Sequence, residues 1–77
     1  MERSEKFKIL LAEKFESLIR EKGKYSMRAF AQYLGIDVAA LHHILNGKRK
    51  VGKKMIVRLG PKIGLGISEI EELINEK

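Results

Sequence analysis

The sequence predicts an all-α fold, a compact bundle of four to five helices. Apolar residues recur at three- and four-residue spacing wherever they cluster, no stretch alternates with a period of two, and no internal repeat competes with this pattern. At 77 residues with 44% hydrophobic content, the chain suits one small domain, residues 1–77, built on one core.

Phe7, Leu10, Leu11, Phe15, Leu18 and Ile19 follow a helical period with Glu and Lys between them. Residues 5–21 are therefore expected to form an amphipathic helix that ends by Gly23. Its apolar stripe requires a partner. Ser26 can cap a second helix carrying Met27, Phe30, Ala31 and Leu34, and Gly35 stops it by accepting a backbone angle that other residues resist. Asp37 can cap a third helix over Val38–Leu45, which closes at Asn46-Gly47. Met55, Ile56, Val57 and Leu59 indicate a fourth short helix over Lys53–Leu59. Pro61 lacks an N–H and would clash with the Val57 carbonyl, so a break or kink is expected beside Gly60. Ser68 and Glu71 have capping-box spacing for a last helix over about residues 68–76, with Ile70, Leu73 and Ile74 on its apolar side and Ile67 placed to staple it. Glu69, Glu71 and Glu72 fall in its first turns, where the helix dipole favours acids.

Sixteen Lys and Arg against ten Asp and Glu give a formal net charge of +6, unevenly spread. Residues 1–24 hold seven basic and five acidic groups, and residues 25–45 hold only Arg28 and Asp37. Residues 46–62 then carry Lys48, Arg49, Lys50, Lys53, Lys54, Arg58 and Lys62 without one acid, whereas four glutamates stand against Lys77 from residue 63 onward. A single-signed block concentrates a polyanion, nucleic acid being the commonest; a solvated lysine-rich face is the plain alternative. The absence of cysteine removes disulfides, thiolate-bound zinc and thiol chemistry, and is compatible with a reducing cytoplasm. No apolar run approaches the roughly 20 residues that span a bilayer, and the charged start is not a signal-peptide core. The expectation is a soluble, unprocessed, cytoplasmic protein with no membrane partner.

The central segment YSMRAFAQYLGIDVAALHHILNGKRK places Ala31, Gly35, Ile36, Asp37, Leu41, Ile44 and Asn46-Gly47 in a recognisable register. Ala31 is small where two crossing helices touch, Gly35 permits a left-handed turn, and Ile36, Leu41 and Ile44 can fill the seam against the first helix. In that register the segment resembles the helix-turn-helix of the Cro/C1-type (XRE-like) phage-repressor family. With its flanking helices the resemblance covers about residues 7–67, the motif itself lying at about 26–45. It implies a lambda-repressor-like helix-turn-helix bundle whose third helix protrudes, a shape that a major groove about 12 Å wide admits.

The resemblance also implies where DNA would be met. Positions that read base edges in the family correspond here to Val38, Ala39 and His43, with His42 more lateral. If Leu41 points inward, His43 points outward, and its imidazole can donate to guanine N7 or O6 or meet a phosphate when protonated. Val38 and Ala39 depart from the polar residues usual at those positions. They can pack on thymine methyl groups but cannot supply bidentate base pairs, so selectivity is expected to be modest or to lean on His43 and DNA shape. Asp37 replaces the more common hydroxyl cap with a carboxylate, which is tolerable where helix N–H groups rather than phosphate face it. Arg28 matches a family position that meets phosphate, a role its guanidinium geometry suits, with a surface salt bridge as the alternative. Asn46 can bond a phosphate, although Asn-Gly also ends helices without any ligand. Lys48, Arg49, Lys50 and Lys53 form the expected phosphate clamp, which positions the protein without choosing the sequence.

Family members usually pair as two-fold dimers, and Ile70, Leu73 and Ile74, or Leu45 and Val51, could supply a homodimer interface or simply complete the core. Adjacent histidines on a helix do not face the same way and no third ligand clusters with them, so no metal site is expected. No P-loop, HExxH motif, dinucleotide glycine pattern or acid–histidine constellation is present, which leaves no catalytic residue and no cofactor to assign. The expected function is non-catalytic binding of double-stranded DNA in transcription regulation, as a repressor-like protein. The rival is a protein-interaction module on the same fold, with the apolar Val38-Ala39-Ala40 start as its docking surface. RNA is a lesser variant, because its deep, narrow A-form major groove does not admit a helix.

Overall fold

The computed structural model describes residues 2–75. Among them are five α-helices, α1 (Arg3–Lys22), α2 (Met27–Leu34), α3 (Val38–Leu45), α4 (Lys53–Leu59) and α5 (Ile67–Ile74), a 3-10 turn at Gly60–Ile63, and no strand. The last helix ends at Ile74 with Asn75 as its cap, short of the expected extension toward residue 76, which itself lies outside the described residues. None of the described helices is long and apolar enough to cross a membrane.

The apolar stripe of α1 is narrower than its sequence suggests. Phe7, Leu11 and Leu18 are buried, Leu10 and Phe15 are partly buried against the same core, and Ile19 faces solvent. Steps of four and seven residues keep one helical face in register, so these three residues meet the rest of the core along a single line. The helix begins two residues earlier than expected, at Arg3, with the Lys6 N–H donating to the Glu2 carbonyl at 3.0 Å. α1 packs on α3, α5 and the 3-10 turn, while α2 packs on α3 and α4 on α5. Phe30, Ala31 and Leu34 of α2, Leu41 and Ile44 of α3, Val51, Ile56 and Leu59, Ile63, and Ile70 and Leu73 complete one core, and among the described residues no polar or charged side chain is buried. Phe15 stacks on Phe30 at 5.1 Å between centroids, and Tyr25 closes the cluster from the side. Burial there, and then the neighbouring Tyr33, push the Tyr25 phenol above its ordinary range, so it serves as a neutral aromatic.

The Ser26 hydroxyl accepts from the Ala29 N–H at 3.0 Å and starts α2 as expected. The helix ends in two nested bonds, Gly35 N–H to the Gln32 carbonyl (3.2 Å) and Ile36 N–H to the Ala31 carbonyl (3.0 Å), with Gly35 at φ 78°. This is a Schellman motif, and it needs a left-handed residue at its pivot. Only two further residues then precede α3, so the turn also sets the crossing of the two helices.

Two details differ from expectation. Asp37 occupies the position before α3, but its side chain makes no hydrogen bond to the helix amides; an exposed carboxylate exchanging water for an amide gains little net free energy. The last helix is capped two residues earlier than Ser68 and Glu71 suggested: it begins at Ile67, and the Glu69 carboxylate accepts from the Gly66 N–H at 2.9 Å. That register still turns Ile70 and Leu73 into the core, but it leaves Ile67 79% exposed, so Ile67 staples nothing. α4 stops at Leu59 and gives way to the 3-10 turn at Gly60, the break expected there, and Pro61 sits in the first positions of that turn, where a missing N–H costs least. α5 crosses so close to this turn that a Cβ on Gly60 would lie 2.9 Å from Ile70 Cγ1.

Replacing Gly35 with alanine should test the turn. A Cβ there meets only ordinary contacts, 3.7 Å to Arg58 Nη2 and 3.9 Å to Lys62 Nζ, so the cost is confined to the backbone angle. The expected loss is about 1–2 kcal/mol. In urea unfolding the midpoint should fall with an unchanged slope.

Candidate nucleic-acid interface

α3 is held from below by the buried Leu41 and Ile44, and Val38, Ala40 and Leu45 are half-buried on its flanks. Ala39, His42 and His43 remain on the outer side, and Asn46 is exposed just beyond the helix end. Val38 spends part of its surface against the core, which reduces what it can offer a partner. The histidine rings lie 6.4 Å apart at 66° to each other, facing different directions. Asn46 Nδ2 lies 3.0 Å from His42 Nε2, one helical turn away.

α3 ends as α2 does, with Gly47 N–H to the Ile44 carbonyl (3.1 Å) and Lys48 N–H to the His43 carbonyl (2.9 Å). Lys48, Arg49 and Lys50 come next, all exposed, and the loop is then tied down twice. Val51 inserts its side chain into the core, 4% exposed, and its N–H donates to Ser4 Oγ of α1 at 2.9 Å. These two anchors keep the preceding cations at the surface. Among the described residues, the side chains of Arg28, Lys48, Arg49, Lys53 and Lys54 have no hydrogen-bond or ion-pair partner. Lys50 lies 3.4 Å from Glu2, an exposed pair that is weak in water.

The cation block divides between two tasks. Arg58 Nη2 donates to the Gly35 carbonyl at 2.7 Å, and Lys62 Nζ donates to the Tyr33 carbonyl at 3.2 Å, while the Tyr33 hydroxyl returns a 2.8 Å bond to the Lys62 carbonyl. Both cations meet carbonyls at the C-terminal end of α2, where the helix dipole and unpaired acceptors favour positive charge. Arg58 also lines a cleft of about 290 Å³ with Arg49, Lys50, Gly52, Lys54 and Met55. The cleft therefore joins the 49–54 cations to the turn that leads into α3. Arg28 stands apart, exposed in the first turn of α2.

Lys54 and Arg58 were not among the residues expected to matter. Their four-residue spacing on α4 places them on one face of that helix, a signal that could have been used. The Glu2 and Ser4 contacts with the loop join residues about 47 positions apart, and no local pattern carries them. Of the residues considered for a two-fold interface, Val51, Ile70 and Leu73 are buried in the core of this one chain, and Leu45 and Ile74 are packed partly against it. No group of three His, Cys, Asp or Glu residues among those described could hold a metal ion.

A family model described as helix-turn-helix, of the Cro/C1 type, matches residues 18–70, more than half of the chain. The protein belongs to the Cro/C1-type helix-turn-helix family. Neither curated proteins nor solved structures provided a match. A Cro/C1-type helix-turn-helix domain is a DNA-binding domain, and the stretch matched runs from the last turns of α1 into α5, enclosing α2, the Gly35 turn, α3 and the basic loop.

Ser4→Ala should loosen the basic loop without removing any charge. It leaves the Val51 N–H without its acceptor in a partly buried place, so a loss of about 1 kcal/mol is expected. Hydrogen exchange at the Val51 amide should accelerate more than at Leu11 in the middle of α1.

Proposed function

We propose that this protein regulates transcription by binding double-stranded DNA without catalysis, with α3 in the major groove and cations on the flanking phosphates. The reading rests foremost on one observation: within a family-matched motif, α3 is backed by Leu41 and Ile44 and turns Ala39, His42 and His43 outward beside unpartnered cations. Ala39 would touch a thymine methyl, with Val38 adding what surface the core leaves it. His43 would address a guanine edge, with His42 beside it. Lys48, Arg49, Lys50 and Lys53 would meet phosphates on one side and Arg28 on the other, with Asn46 at the helix end. Lys54 and Arg58 extend this basic surface along the cleft. Such a protein works at the nucleoid, in the cytoplasm, and two copies would span half-sites about 34–36 Å apart if it pairs.

Asp37 shapes the same reading. Its carboxylate is not used on the helix amides, so a negative charge stands at the leading end of α3, where it disfavours phosphate and leaves that end to bases. The apolar start of α3 also supports a second reading, a protein-interaction module on the same fold, in which Val38 and Ala39 dock an apolar partner.

Fluorescence-anisotropy titration against labelled random duplexes at two salt concentrations, with selection from a randomised library, decides between them. Salt-sensitive binding is expected, and a palindromic enriched motif would indicate a two-fold dimer. Absence of binding at low salt would overturn the DNA reading and favour the interaction module. Neutralising Lys48 and Arg49 together should weaken all sequences alike and lower the slope of log K against log salt by about 0.9 for each phosphate left without its cation. His43→Ala should instead alter the preference among sequences. A change of preference on neutralising Lys48 and Arg49, with none on replacing His43, would reverse these assignments.

A further inference from the structure

Asn46 lies one turn beyond His42, and its amide nitrogen is 3.0 Å from His42 Nε2. With the Asn46 amide nitrogen turned toward the ring, it donates and Nε2 accepts, which is the pairing of the tautomer whose Nε2 carries no proton. In the neutral ring the proton then belongs to Nδ1. Both residues are exposed, and apart from this bond and the neighbouring His43 ring, the His42 side chain has no hydrogen-bond or ring partner among the described residues. Its Nδ1–H is therefore left to solvent as an unused donor.

From this geometry we infer that Asn46 is a positioning residue that sets the tautomer of His42, so that α3 presents an Nδ1–H donor to acceptors on DNA. The inference rests on the DNA-binding reading above and adds a residue that determines specificity. The role differs from the phosphate contact expected of Asn46. One amide hydrogen is committed to His42, and what the pair offers outward is a donor on the ring, the second amide hydrogen and the amide oxygen. A fixed donor discriminates against an edge that only donates: guanine N7 and O6, adenine N7 and thymine O4 accept from it, whereas cytosine N4–H₂ does not. With the amide removed, water alone would set the tautomer, and a ring that accepts at that edge would lose the discrimination.

The experiment uses the whole chain and reads the proton first. Long-range ¹H–¹⁵N spectra of the imidazoles, recorded above the histidine titration range, should show His42 as the Nδ1–H tautomer. Asn46→Asp keeps the size of the side chain but replaces a donor with an acceptor, so it should move the His42 proton to Nε2. An Nε2–H signal in the unaltered protein, or no change on Asn46→Asp, would overturn the inference. A merely structural role for Asn46 would leave the tautomer where it was.

Library selection and anisotropy on the two proteins then read the consequence. The added charge of Asn46→Asp weakens every duplex, so the informative quantity is the ratio between sequences. A guanine preferred over cytosine by the unaltered protein should lose about fivefold of that advantage, the worth of one hydrogen bond near 1 kcal/mol. Replacing that guanine with 7-deazaguanine should cost the unaltered protein more than the variant. Equal ratios in the two proteins would overturn the role in specificity. If neither protein binds any duplex while the tautomers behave as stated, the DNA-binding reading fails and the proton assignment stands.

Discussion

Two hydrogen bonds onto the last turn of α2, from Gly35 N–H and Ile36 N–H, close that helix and give α3 its direction, and the placement of the outer face of α3 depends on them. The pivot must be left-handed, so the one residue without a Cβ stands there. Leu34 is then fully buried before the turn and Leu41 after it, and α3 lies across α2 with its inner face filled and its outer face bare. Arg58 brings a charged donor onto the Gly35 carbonyl from α4, and Lys62 does the same for Tyr33, so the turn is secured by elements more than twenty residues later. A helix that protrudes from its bundle must hold its angle against thermal motion, and a short turn locked on both sides achieves that with few residues.

Charge is used with similar economy. The acid-free segment of residues 46–62 looks uniform in composition, but its members do different things once folded. Arg58 and Lys62 meet carbonyls and are committed, at least in part, to the protein's own backbone. Lys50 is shared with Glu2. Lys48, Arg49, Lys53 and Lys54 are uncommitted among the described residues, and they are the ones a phosphate would find without displacing a partner. Val51 keeps them outside, because a buried side chain and a bonded N–H in the middle of the loop leave its neighbours no inward path.

The outer face of α3 offers few hydrogen-bonding side chains. Ala39 has none, Val38 leans on the core, and the two histidines with Asn46 carry nearly all the polar chemistry. Imidazole differs from the amide and guanidinium groups that read bases in pairs, because what it offers depends on where one proton sits. A neighbour that fixes that proton therefore matters more here than it would beside an arginine.

Much of this was legible in the sequence. Local rules reached α2, α3 and α4 with their boundaries, because a hydroxyl before an apolar run, a glycine after it and the helical period are all read within a few residues. The register of Ala31, Gly35, Leu41, Ile44 and Asn46-Gly47 sufficed to recognise the family. Local rules were weaker where two local solutions competed. Ser68 with Glu71 and Gly66 with Glu69 both present a plausible start for α5, and burial of Ile70 and Leu73 is shared by both, so the bond from Gly66 N–H to Glu69 decided it. What only the tertiary structure decided is which cations remain available and which apolar residues are already used. Val51, Ile70 and Leu73 belong to the core, Arg58 and Lys62 to the end of α2, and Lys50 to Glu2. The reason is one of range: a hydrophobic period and a cap act over one or two turns, whereas a charge's partner is whatever the packed chain brings within about 3 Å, from any distance along the sequence.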